Sequence, residues 1–135
     1  AAALADKRFF VMGDGVTGAD DGPLNGYAFS LSDWGYVPSI LGHWVRDRKL
    51  MSLETAVAKM TDGPARQIGL TDRGRIAEGY KADLVLFDLE RLDTRVEPSW
   101  LTPCPEGIEQ VFVNGRRAFD GTATQGRFGI VGRHS

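Results

Sequence analysis

Residues 8–15 read Arg8-Phe9-Phe10-Val11-Met12-Gly13-Asp14-Gly15, a short continuous apolar run closed by two glycines around an aspartate. Aromatic and aliphatic residues without polar alternation suit a strand covered on both faces, as in a parallel sheet or barrel. Residues 1–7 then read as the end of a helix feeding that strand. From Gly13 to Gly35, glycines together with Pro23 and Asn25 interrupt every period. A loop longer than about 15 residues inside a compact domain is usually functional or disordered.

Beyond the loop, Val37, Ile40, Leu41, Trp44 and Val45 fall at i, i+3, i+4, i+7 and i+8, one helical face, and the helix ends in Arg46-Asp47-Arg48-Lys49. Basic residues in a last turn suit the helix dipole. Ser52 is a good N-cap for a second helix, with Glu54 in its first turn and Leu53, Ala56, Val57 and Met60 at helical spacing. Asp62-Gly63-Pro64 stops it, and a short helix from Ala65 to Ile68 follows with Gly69 as its C-terminal cap. After Gly69 the character turns to β. Ala82–Asp88 reads as a strand bounded by acids. Ile108–Val113 meets Asn114-Gly115, a strong hairpin signal, with Arg116–Asp120 returning. The glycine-rich tail from Gly121 reads as weakly structured. One buried strand, then helices, then three short strands cannot satisfy their own edges. The order therefore reads as the C-terminal portion of a larger α/β fold.

Composition narrows the functions. The 135 residues hold 16 Lys+Arg against 18 Asp+Glu, a net charge of −2 that argues against a nucleic-acid partner. No apolar run approaches the roughly 20 residues that span a bilayer, so no membrane partner is expected. One Cys excludes an internal disulfide, and a cytoplasmic location is the expectation. The opening Ala1-Ala2-Ala3-Leu4-Ala5 lacks a basic n-region and does not read as a signal peptide. With only two histidines, His43 and His134, no complete histidine-rich metal centre can be built.

Met12-Gly13-Asp14-Gly15, the segment Pro38–Arg48, Leu53–Thr61 with Pro64-Ala65, Asp72–Asp88, and Gly107-Ile108-Glu109 through Val113-Asn114-Gly115 together resemble the C-terminal end of N-acyl-D-amino-acid deacylases (D-aminoacylases) of the amidohydrolase superfamily. The likeness runs from Phe9 to about Arg127. It implies a (β/α)8 barrel of the TIM type with one or two zinc ions, flanked by a small composite β-sandwich. Residues 1–71 would hold the barrel's last strand, an active-site loop and helices, and residues 72–135 the C-terminal strands of the sandwich. Strand 9–12 would be the eighth barrel strand, placing Asp14 at its C-terminal end, where barrel enzymes keep their chemistry.

In the family that aspartate lies beside the metal-bound water, acts as general base and then as acid, and can share the metal with ligands that would lie upstream. The substrate class implied is a small-molecule amide with a non-peptide C–N bond. The resemblance departs at Ser30-Leu31-Ser32, where most deacylases carry a His-Pro-Arg tripeptide whose Arg clamps the substrate carboxylate. That leaves two alternatives: an amidohydrolase acting on a cyclic amide or by deamination, and a non-catalytic interaction module. The 135 residues alone are expected to be inactive, and an N-terminal companion chain or a homo-oligomer is the expected way of covering their apolar edges.

Read without the resemblance, Asp14 between two glycines is an ordinary turn residue. Asp20 and Asp21 read as solvated loop acids, His43 as a partly exposed structural histidine, and Arg73 and Arg75 as salt-bridging. Trp34, Trp44 and Trp100 read as packing residues, with a pocket-lining alternative for Trp34 and Tyr36. Cys104 reads as an unreactive thiol and His134 as a tail residue.

Overall fold

A computed structural model describes residues 1–6, 8–13, 32–92 and 106–131, with the backbone alone at 32–34. Asp14, Asp20, Asp21, Trp100, Cys104, His134 and the side chain of Trp34 lie outside the described residues.

Helix α1 spans Ala2–Ala5 and α2 spans Ser32–Pro38, running directly into a π-helical segment, Ser39–Asp47. The helix thus begins five residues before the Val37 expected from the apolar period. Pro38 sits at the change of pitch, where its missing N–H removes one ladder bond. The wider winding shows in the Arg48 N–H, which donates to the His43 carbonyl at 2.9 Å. The apolar stripe survives: Ile40, Leu41 and Val45 are buried, and Val37 and Trp44 pack against them.

Helix α3, Leu53–Met60, is capped as its sequence predicts, the Ser52 hydroxyl accepting from the Thr55 N–H at 3.3 Å. Helix α4, Asp62–Gln67, starts three residues earlier than expected, and Pro64 sits in its first turn, where no N–H is missed. Gly69, at φ +77°, closes it, with the Leu70 N–H reaching back to the Ala65 carbonyl at 2.8 Å.

Strands β1 (Leu84–Phe87), β2 (Ile108–Val113) and β3 (Arg116–Phe119) form one antiparallel sheet in the order β1-β2-β3. Val85 pairs with Val111 and Val113 with Arg116, across a turn in which Asn114 (φ 50°) and Gly115 (φ 76°) both take the left-handed conformation a two-residue hairpin needs. Leu92, fully buried, joins the helical core of Ile40, Leu41, Val45 and Ala56, so the stretch after β1 ties the sheet to the helices.

Two expectations change. Phe9–Met12 forms no ladder with any described residue. A strand exists only through a neighbour's hydrogen bonds, and among the described residues those reaching this segment from elsewhere in the chain come from Lys59 of α3. The tail is more ordered than its glycines suggest. Thr124 bridges to Phe119, the Gln125 N–H donates to the Ala118 carbonyl at 2.7 Å, and the Asp120 carboxylate accepts from Thr122, Ala123 and Gln125.

Candidate active-site approach

The segment leading to Gly13-Asp14 is held on its helix-facing side by four contacts. The Phe10 ring lies over Gly63 and leaves no room there for a Cβ. Val11 packs against the helical core. The Tyr36 ring lies on Gly13 so closely that a Cβ there would meet it at 2.7 Å. Lys59, 5% exposed, donates from Nζ to the carbonyls of Asp6 and Phe9, the latter at 2.7 Å, while its own carbonyl accepts from the Val11 N–H at 3.0 Å. Away from the helices the segment is open: Phe9 and Phe10 are about half exposed and Met12 is 75% exposed.

Arg8 grips the Asp6 carboxylate with two side-chain nitrogens and its backbone N–H, and holds that carboxyl below the usual range. The Arg8 side chain is 83% exposed, so the pair adds little to the stability of the fold.

Further along, the helices and the sheet are joined by charge. Arg46, expected at a helix C-terminus, donates from Nη1 to the carbonyls of Leu89 (2.9 Å), Glu90 (3.2 Å) and Leu92 (2.8 Å). Arg75 reaches Asp62 of α4 at 2.7 Å, and Arg73 reaches Asp83 beside β1 at 2.7 Å, as the salt-bridging reading predicts. Lys81 pairs with Asp72 and is the main cause that lowers the Asp72 carboxyl below its ordinary value.

Of the sequence candidates, Tyr36 is brought to the segment and Asp14 falls just past its described end. His43 is partly buried and meets Trp44 edge-on, with ring centroids 4.9 Å apart, which fits a structural histidine. Among the described residues no group of three or more His, Cys, Asp or Glu could hold a metal ion, and no helix is long and apolar enough to cross a membrane. Sequence reading missed Lys59. The signal was its place three residues after Ala56, in phase with the buried stripe of α3.

Residues 9–119 match the amidohydrolase family model, and the chain belongs to the amidohydrolase family. It is 45% identical over 91 residues to the N-acyl-D-aspartate deacylase of Alcaligenes xylosoxydans xylosoxydans, covering 67% of this chain and 18% of that protein. It also superposes on a D-aminoacylase with a binuclear metal center at a TM-score of 0.80 and 34% identity, over 94% of this chain and 25% of that one. The N-acyl-D-glutamate deacylase of Bordetella bronchiseptica, solved with zinc and a phosphonate mimic of the tetrahedral intermediate, matches at a TM-score of 0.76 and 35% identity, over 95% and 26%. The chain therefore spans about a fifth to a quarter of these relatives. The matches fit a fragment of an amidohydrolase barrel.

Proposed function

We propose that the whole protein carrying these residues is a metal-dependent amidohydrolase that cleaves the C–N bond of an N-acyl amino acid, with Asp14 as its general base and then its general acid. The observation that carries this reading is the superposition of nearly the entire chain on a D-aminoacylase. In the reaction the water oxygen bonds to the acyl carbon and the C–N bond breaks. The Asp14 carboxylate takes a proton from that water and returns it to the departing nitrogen, leaving a carboxylate and a free amine. A bound zinc ion would supply Lewis-acid polarisation of the carbonyl and a more acidic water. Asp14 fits such an ion as a shared ligand, since among the described residues no group of three or more His, Cys, Asp or Glu could hold a metal. The remaining ligands would come from outside this chain.

The domain reading extends this. Residues 1–71 would close the barrel and residues 72–135 would supply strands to a composite β-sandwich. Exposed apolar residues on β1 support that division, as a sheet awaiting a cover. Those surfaces also support an N-terminal companion segment or chain, or a homo-oligomer, as their cover.

The test is amine release by the full-length, zinc-loaded protein from N-acetyl-D-aspartate, N-acetyl-D-glutamate and N-acetyl-D-leucine, beside their L-enantiomers and a cyclic amide. Hydrolysis of the open-chain N-acyl substrates supports the proposal. Ring opening of the cyclic amide alone would move the chain to the second reading, which Ser30-Leu31-Ser32 in place of a clamping arginine favours.

A further inference from the structure

Among the described residues, Lys59 is the charged side chain that the fold buries. A buried ammonium is costly unless hydrogen bonds replace its water. Its Nζ finds backbone carbonyls of the segment before Gly13, those of Asp6 and Phe9, and its own carbonyl takes the Val11 N–H.

The pattern at residues 9 and 11 is that of a parallel ladder. A residue on a neighbouring parallel strand donates to the carbonyl of residue i−1 and accepts from the N–H of residue i+1. Lys59 does both around Phe10, with its ammonium in place of a backbone N–H. Packing of Phe10 on Gly63 and of Tyr36 on Gly13 resists sideways movement of the segment. Sliding along its axis is resisted by the Lys59 hydrogen bonds, because backbone groups alternate between edges and a one-residue slip would present those of Phe10 to the wrong side.

We propose that Lys59 is a positioning residue, which sets the axial register of Phe9–Val11 and so acts on the Asp14 that follows in the chain. This rests on the reading of Asp14 as the proton carrier. Misplacement of a reacting group by about 1 Å can cost up to roughly a hundredfold in rate, so the effect belongs in kcat and not in substrate affinity.

The experiment compares D14N, K59M and K59R in the full-length, zinc-loaded protein, with kcat, KM and melting temperature measured for each. The proposal expects K59M to lose about tenfold or more in kcat with KM within about twofold of wild type, and K59R, which keeps both donors, to recover kcat to within about threefold. A folded K59M with wild-type kcat overturns it, as does a loss shared by K59M and K59R in proteins that melt like wild type. Should K59M not fold, K59R decides: near-native kcat supports the proposal, and a deep loss overturns it. Failure of both to fold also overturns it, since Lys59 would then serve the fold as a whole. The D14N result stands apart, because retained activity there defeats the Asp14 reading whatever the Lys59 variants do.

Discussion

In the helical region Leu41 is 3% exposed and Ala56 1%, whereas in the sheet Val85 is 53% exposed and Leu86 51%. Strand β1, Leu84-Val85-Leu86-Phe87, is wholly apolar in sequence, so the difference lies in what covers it. The helices from Ser32 to Gln67 bury one another, and Leu92 completes their core. Strand β1 has a partner on one edge and none among the described residues on the other. Phe9–Met12 resembles β1 in this respect, anchored by helices on one side and open on the other. The buried core thus lies mainly among the helices, with Phe87 and Ile108 of the sheet packed against it, while the rest of β1 stays exposed.

The sharpest way to break this comparison is to empty a side chain in each region. Leu41→Ala should cost about 2–5 kcal/mol in urea unfolding, the usual result of deleting a buried leucine. A cost below ~1 kcal/mol would show a looser core than described. Next come two glycines with positive φ. A Cβ added at Gly74 (φ +90°) would meet the Ala65 Cβ at 2.8 Å, while one added at Gly79 (φ +81°) would meet nothing within 4 Å. Both Gly→Ala changes carry roughly 1–2 kcal/mol of left-handed strain, and G74A should exceed G79A because it also pushes α4 away.

Ser52→Ala should remove about 1 kcal/mol by uncapping α3, read by the same unfolding curve. Val85→Thr, on the open strand, should stay within about 0.5 kcal/mol. If it costs as much as L41A, then β1 is covered in solution and the contrast between the regions disappears.

The smallest effect is electrostatic. Hydrogen bonds from the Ala123 backbone N–H first, and then from Thr122, hold the Asp120 carboxyl down to about 2, against an ordinary 3.8. A folded-state value below the unfolded one stabilises above the unfolded pKa and is lost as pH falls through the folded pKa. The 120–125 turn should therefore be intact above pH 3.8 and open as pH falls toward about 2, visible in the exchange rate of the Ala123 amide. D120N should flatten that dependence.

Much of the helical region was legible because its signals are local. The Ser52 cap, the Pro64 first turn and the Gly69 stop each lie within a few residues of what they govern. The Asn114-Gly115 hairpin is equally local. The π-helical turn after Pro38 was not legible, since the same apolar stripe serves either winding. Phe9–Met12 reads as a strand in sequence but pairs with no strand among the described residues, because strand formation depends on a neighbour that local sequence does not specify. The tail was underestimated because the Asp120 carboxylate gathers its donors through side-chain geometry that glycine content hides. Lys59 was hidden for a related reason: a lysine inside an amphipathic helix reads as solvated until its neighbours are known. Asp14 was legible only through the family resemblance, and its place in the site remains a proposal.

The most direct test of the central claim is deacylase turnover by the full-length, zinc-loaded protein with Asp14 replaced by Asn. The account predicts a loss of about 10²- to 10⁴-fold in kcat, the usual share of general acid–base catalysis, with KM little changed and zinc still bound. Turnover by D14N within about threefold of wild type would contradict it.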